Sequence, residues 1–286
     1  MDQVLVNGAI LAASYALIAL GITIIFSIMN VLNFAHGQMF MLGGLTVYWV
    51  MTELELPFAV GLIAATVAVG AIGMFFEVFF FRRVIRSATR EENTMLLAVG
   101  TALLLENIAL SLFGEKHRGI PPVISGVHRL GDAFIPSNRL LVFVVSIALI
   151  ALVLIVVNYT KTGRAMRALA QDRTATLLMG VDAHRISMIG FGLGAALAGV
   201  AGALLISVSG INAGIGNAIS TKAFVMIMIG GAGVVSGALL GAVALGFIEA
   251  IGYAFIPGSV TYLLIFTGLI LFLLIRPQGI MGKPWG

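Results

Sequence analysis

The sequence contains no cysteine. Disulfides, thiolate metal sites and cysteine nucleophiles are therefore excluded, while the redox compartment stays open. Charge is scarce too: Asp, Glu, Lys and Arg make up 10% of the 286 residues, against roughly 25% in soluble domains. No GxxxxGK[ST] pattern occurs, so no ATP-binding phosphate loop is expected. Neither H-E-x-x-H nor a Ser/His/Asp set is present, which argues against an intramembrane enzyme. His36 has no second histidine or carboxylate at ligand spacing, so no metal site is expected. The fragment GAGVVSG looks like a degenerate dinucleotide fingerprint, but it follows no strand and lies in no βαβ unit. Only Asp2 precedes the first long apolar run. A basic leader region is therefore missing, and the first segment is expected to be retained.

What is present is apolar. Sixty per cent of residues are hydrophobic, the mean hydropathy is +1.12 and there are 35 glycines. A bilayer must be the solvent, and membrane lipid the immediate surroundings, with small residues allowing close helix packing. The expected fold is all-α: a polytopic transmembrane helical bundle of about eight spans, forming a single transmembrane domain over residues 1–286. Runs of about 17–25 apolar residues place spans near Val4–Met29, Phe34–Met51, Pro57–Phe81, Thr94–Phe113, Leu140–Tyr159, Ile186–Val208 and Val260–Ile275. Between Lys222 and Gly252 the apolar run is too long for one helix. It reads as a short segment, a glycine-rich break over Gly230–Gly237, and a second segment that crosses, or enters and returns. No internal repeat is evident.

Orientation follows the basic residues, which cytoplasmic loops retain. Eleven of the sixteen Lys and Arg fall in three places. Arg82, Arg83, Arg86 and Arg90 follow the third span. Lys161, Arg164, Arg167, Arg173 and Arg185 lie in the segment 160–185, and Arg276 and Lys283 in the tail. These regions are expected inside, with the C-terminus. The N-terminus, the long loop 114–139 with Lys116, Arg118, Arg129 and Arg139, and a loop containing Lys222 are expected outside. The net charge of +4 follows this topology and implies no nucleic-acid partner.

Thr162–Val181 reads as one polar amphipathic helix between greasy spans. Arg164, Arg167, Asp172 and Arg173 would face water, and Met166, Leu169, Ala170, Leu177 and Leu178 another side. In MNVLNFAHGQ, the residues Asn30, Asn33, His36, Gly37 and Gln38 stand where a helix should continue or end. Two readings remain open: a broken helix whose backbone and Asn side chains line a passage, or a polar turn at the inner interface with Asn and Gly as stop signals. Glu77, Glu106 and Glu249 lie in apolar runs and each needs a partner or a proton. Glu77 suits an interfacial pair with Arg82. Glu106, followed by Asn107, suits either a substrate path or helix bonding, and Glu249 a structural role. The small residues of GFGLG, Ala198 with Gly202, and Gly233, Gly237 and Gly241 read as packing faces.

Taken in order, SYALIALGITIIFSIMNVLNFAHGQMFMLGG, GRAMRALAQDRTATLLMGVDAHRI, GFGLGAALAGVAGALL, KAFVMIMIGGAGVVSGALLGAVALGFIEA and RPQGIMG resemble, almost end to end, the permeases of ATP-binding cassette importers for branched-chain amino acids, specifically the shorter of the two permease subunits. The resemblance implies import by alternating access in a bacterial or archaeal plasma membrane. It implies a second permease, two cytoplasmic ATP-binding subunits that carry ATP and magnesium, and an extracytoplasmic solute-binding protein; no cofactor belongs to this chain. The segment 160–185 becomes the coupling element. Gly163, Arg164, Arg167 and Asp172 are its expected contacts, with Ala170, Leu178, Met179 and Gly180 seated in the partner's groove. Asn30, Asn33, His36, Gly37, Glu106, Asn107, Gly231 and Gly233 are the candidate substrate path. Where the family commonly has glutamine before asparagine in the fourth span, this chain has Glu106, and relatives with similar permeases handle urea, amides and small organic acids. A passive small-solute channel and an ion-coupled carrier using Glu106 are the readings from other classes.

Overall fold

The computed structural model describes residues 1–87 and 92–282. Arg90 and Lys283, counted above as inner-side charges, lie outside the described residues, as does the side chain of Arg86. Helix α1 (Asp2–Met29) is followed by α2 (His36–Thr52) and α3 (Phe58–Phe76), which runs through a π-helical turn (Glu77–Phe81) into α4 (Arg82–Ser87). Then come α5 (Glu92–Phe113), the strands β1 (Val127–Leu130) and β2 (Ala133–Pro136), and α6 (Ser137–Tyr159). The chain finishes with α7 (Lys161–Gln171), α8 (Arg173–Leu178), α9 (Ala183–Ser209), α10 (Ile215–Gly230), α11 (Val235–Phe255) and α12 (Gly258–Ile275). Among the described residues seven helices are long and apolar enough to cross a membrane, and α10 is a shorter apolar one. This is a multi-pass helical membrane protein. The helical expectation omitted one element: β1 and β2 form an antiparallel hairpin in the long loop, pairing Val127 with Pro136 and Leu130 with Ala133.

The hairpin and α7 mark opposite ends of the bundle. Gln3 at the start of α1 accepts the Phe134 amide of the hairpin at 2.9 Å, whereas the last turn of α1 and Asn30 line a cavity shared with α7. The tail after α12 returns to the α7 end, where the Ile280 and Met281 amides donate to the carbonyls of Ile229 and Gly230, both at 2.9 Å.

Two apolar helices, α2 and α10, are too short to cross. Helix α1 ends at Asn30, a left-handed cap with φ 52°, and residues 31–35 then climb back beside it. His36, at the start of α2, bonds through Nε2 to the Ile18 carbonyl at 3.1 Å. Ile18 lies roughly 24 Å along a helix of roughly 42 Å, at about 1.5 Å per residue. Helix α2 therefore begins at mid-depth and runs only to the hairpin end, where the Tyr48 hydroxyl accepts from Arg118 at 2.7 Å. Helix α9 ends at the hairpin end, where Ile211 exchanges two backbone bonds of 2.7 Å with Arg118. Residues 212–214 descend, and α10 begins at mid-depth and runs to the α7 end. The start of α2 meets the start of α10: a Cβ on Gly37 would overlap the Gly216 carbonyl and Ser220.

These pieces form an inverted pair. Helices α1–α3 and α9–α11 share the plan of full helix, extended return, half-helix and full helix, with opposite direction. Helix α3 packs on α9 as α11 packs on α1. At the centre α1 and α9 cross at Gly21 and Gly194, where a Cβ on either would stand 2.5–2.6 Å from the other's carbonyl oxygen. Both helices are mostly buried, whereas Thr261 is the buried residue of α12.

Three boundaries depart from expectation. The second span begins at His36, two residues late, because Phe34 and Ala35 form the turn that leads into it. Lys222 lies inside α10, in no loop. The block 162–181 is two helices separated at Asp172, whose backbone is extended (φ −153°, ψ 109°) and whose carboxylate accepts the Ala175 amide at 2.9 Å to cap α8.

At the α1–α9 crossing, rigid backbone stands opposite each glycine, so added bulk has no flexible neighbour to displace. Gly21→Val is expected to destabilise by at least the roughly 1–3 kcal/mol typical of overpacking. Gly100→Ala in α5, with nothing within 4 Å of its Cβ position, should be neutral or slightly stabilising. Melting curves of the two variants in detergent separate these outcomes.

Candidate functional site

The mid-depth junction holds most of the buried polar atoms of the first break. Asn33 caps the return with its side chain, Oδ1 accepting the Ala35 amide at 3.1 Å, and its carbonyl accepts the His36 amide at 3.1 Å. Ser220 ties the two half-helices: its hydroxyl donates to the Phe34 carbonyl at 2.8 Å and accepts the Gly37 amide at 2.9 Å. Each reading holds in part: Asn30 stops α1 at the α7 end, and the return then carries Asn33, His36 and Gln38 into the bundle. Residues Asn33, His36 and Gln38 are fully buried.

Two helix N-termini in contact bring together two partial positive charges of roughly half a unit each. A carboxylate offsets them. Glu106 of α5 accepts through Oε2 from Asn217 Nδ2 at 2.9 Å and from Gln38 Nε2 at 3.4 Å, while Gln38 Nε2 also reaches Asn217 Oδ1 at 3.2 Å. This orients the Gln38 carboxamide; its Oε1, Asn33 Nδ2 and His36 Nδ1 are buried and have no hydrogen-bond partner among the described residues. Glu106 is half-buried and Asn217 exposed. Asn107 is elsewhere: one residue on along a helix turns the side chain by about 100°, and Asn107 bonds back to the Leu103 carbonyl at 2.8 Å.

Beside the junction, Lys222 and Glu249 form a buried pair at 2.8 Å. Tyr15 completes it, donating to Glu249 and accepting from Lys222 Nζ at 2.6 Å. The pair faces a cavity of about 540 Å³ that Arg139, Tyr253 and Tyr262 also line. Glu77 is paired as expected, with Arg82 at 2.7 Å, and Arg82 also donates to the His184 carbonyl at 3.2 Å.

At the α7 end a cavity of about 830 Å³ is lined by Asn30, Asn158, Arg167, Gly233, Ser236 and Gln278, among others. Asn30, Gly231 and Gly233 are therefore far from Glu106: Gly233 borders this cavity and Gly231 packs under Gly282 of the tail. Helix α7 is capped by Thr160, whose hydroxyl accepts the Gly163 amide at 3.0 Å, and seats Gly163, Met166 and Leu169 against the bundle. Arg167 is half-buried: it lines the cavity and donates to the Val157 carbonyl. Arg164, Ala170 and Asp172 are exposed. Because α8 starts anew at Asp172, Leu177 and Leu178 leave the buried side of α7. Leu178 and Met179 are 84% and 83% exposed, and Gly180 (φ +80°) closes the tip with nothing within 4 Å of its Cβ position. Behind it Asp182 caps α9; the amides of Arg185 and His184 hold its carboxyl below the usual carboxylate range.

Gln38 was visible in the first polar break, but Asn217, Ser220 and the Lys222–Glu249–Tyr15 group carry no motif of their own. A signal did exist. Asn33, Gly37 and Gln38 are matched at the same spacing by Asn212, Gly216 and Asn217, and the Asn212 carbonyl accepts the Ile215 amide at 3.3 Å as that of Asn33 accepts His36.

Residues 4–275 match the family model described as branched-chain amino acid transport system / permease component. The chain is 32% identical to the high-affinity branched-chain amino acid transport system permease protein LivH of Escherichia coli, over 99% of this chain and 96% of that protein. It is 33% identical to the corresponding protein BraD of Pseudomonas aeruginosa, with the same coverage. The permease protein LivM of Escherichia coli is 30% identical over 53% of this chain and 36% of its own length. No solved structure matches.

Removing one member of the Lys222–Glu249 pair leaves a buried charge without its counter-ion. Lys222→Met is expected to destabilise by about 3–5 kcal/mol, read as a fall in melting temperature. The combination with Glu249→Leu and Tyr15→Phe should recover most of the loss.

Proposed function

The chain belongs to the permease components of branched-chain amino acid transport systems, and from that premise we propose that it forms one half of the pore of an ATP-driven importer for branched-chain or closely related amino acids. A second permease would complete the pore. Its relatedness is supported by the LivM match over half of the chain. Two ATP-binding subunits on the cytoplasmic side would hold ATP and magnesium, and an extracytoplasmic binding protein would deliver substrate at the hairpin end.

The observation that carries this reading is the tip formed by α7 and α8. Leu178 and Met179, large apolar side chains, stand exposed beyond the bundle on a polar segment, as a surface awaiting a protein groove does. That segment is anchored where movement would count. Gly163, Met166 and Leu169 seat α7, Arg167 fastens it to the last turn of α6, and the adjoining cavity is lined by Ala232, Gly233 and Val234 of the turn between α10 and α11. Displacement of the tip by closure of the ATP-binding pair would move α7 as a rigid rod and reach α6 and the inner end of α10 together. The cytoplasmic placement of this end is supported by Arg82, Arg83, Lys161, Arg164, Arg167, Arg173, Arg185 and Arg276, all found there. Lys222 leaves the opposing tally because Glu249 neutralises it.

Leu178→Asp alters only the exposed tip. It should weaken co-purification with the ATP-binding subunits at least tenfold, about 1.4 kcal/mol or more, while the permease retains its melting temperature. Undiminished co-purification would refute the coupling surface. A cysteine introduced at Ala175 should react with a membrane-impermeant maleimide in inverted vesicles and resist it in intact cells; the reverse pattern would put this end on the wrong side.

A further inference from the structure

We propose that the cavity beneath α7 holds the headgroup of an anionic phospholipid, with the phosphate on Arg167 and the opening turn of α11 and the acyl chains against the apolar wall below. This goes beyond the importer reading and requires only that the chain lies in a membrane.

Charge points to an anion. Of the described residues that line this cavity of about 830 Å³, Arg167 is the one with a formal charge, and none is acidic. Its Nη1 donates to the Val157 carbonyl. Among the described residues its Nε and Nη2 have no acceptor, and no carboxylate lies within ion-pair distance of it. A half-buried guanidinium is thus left with donors to spare, and the oxygens of a phosphate match them in spacing and charge.

The start of α11 faces the same space. Val234 gives that helix no side-chain cap, and among the described residues the amides of Val235 and Ser236, both in the cavity wall, have no acceptor. Free amides at the start of a long helix favour an anion. The Ser236 hydroxyl and the carboxamides of Asn30, Asn158 and Gln278 add donors around them.

Polarity in the cavity is layered. Ile24, Leu154 and Leu239 line it about one to two turns deeper along the helices that carry Asn30, Asn158 and Ser236. An amphiphile has that layering; an inorganic anion does not. Asn158 and Ser236, on its two sides, are exposed, so the cavity opens at the surface of the bundle. The lack of a carboxylate then decides between lipids. The ammonium group of phosphatidylethanolamine would find no counter-charge in this wall, whereas phosphatidylglycerol brings one negative charge to one positive.

The test is native mass spectrometry of the full chain released from detergent, with dioleoylphosphatidylglycerol or dioleoylphosphatidylethanolamine added. The first phosphatidylglycerol is expected to bind at least tenfold more tightly than the first phosphatidylethanolamine, and Arg167→Gln and Ser236→Glu should each weaken it at least fivefold. Ser236→Glu sets a carboxylate where the phosphate would sit, at a helix start that tolerates it well. Its melting temperature without lipid should match wild type, which separates lost binding from lost structure. Arg129→Gln, in the hairpin at the other end, should bind as wild type does. Equal affinity for the two lipids, or affinity within twofold of wild type in both cavity variants, overturns the proposal. Displacement of the lipid by inorganic phosphate alone overturns the lipid as occupant. None of these outcomes depends on transport, so the importer reading stands or falls separately.

Discussion

A peptide group inside a bilayer has no water to turn to, so every interruption of a helix at membrane depth must be repaired by the protein itself. This chain interrupts helices twice at the same level, and most of its internal polar chemistry answers that constraint. Asn33 serves the first return with both its side chain and its carbonyl. Ser220, on the other repeat, uses one hydroxyl to serve a carbonyl and an amide of the first. The second repeat thus mends the first, and the start of α2 is complete only with Ser220 in place.

The architecture around the breaks depends on absent side chains. Helices α1 and α9 cross at mutual glycines, and that close approach brings the two return segments to one level. Ion pairs then settle the remaining charge. Glu77 is held by Arg82 near the α7 end, Glu249 by Lys222 and Tyr15 at mid-depth. Glu106 differs in having only carboxamides for neighbours and one oxygen left over. Satisfied charges hold the bundle together; the unsatisfied one stands where the two repeats meet.

Much of this was legible from residue order. Long apolar runs located the full spans, Gly231 and Gly233 marked the turn between α10 and α11, and the Glu77–Arg82 pair followed from spacing alone. Lys222 was misread because a lone lysine in an apolar stretch resembles a loop charge, and its partner is 27 positions away. The block 162–181 was misread as one helix because amphipathic spacing continues through Asp172, which caps a second helix where a continuous one would have needed helical backbone. The inverted repeat escaped notice because its trace is a handful of residues, Asn-x-x-x-Gly followed by a carboxamide, that acquires meaning only once both copies are seen to start half-helices. Asn107 was grouped with Glu106 by adjacency, although adjacent residues on a helix point apart.

The tail after α12 bears on the order in which the molecule can be built. Ile280 and Met281 supply amides to the carbonyls of Ile229 and Gly230, next to the floor of the cavity beneath α7. Those residues follow α12 in the chain, so the carbonyls that close α10 wait unlatched until α11 and α12 have been made. The end of the bundle that holds α7 is therefore closed only after the last spanning helix is in place, so its finish depends on a segment distant in sequence from the elements that it latches.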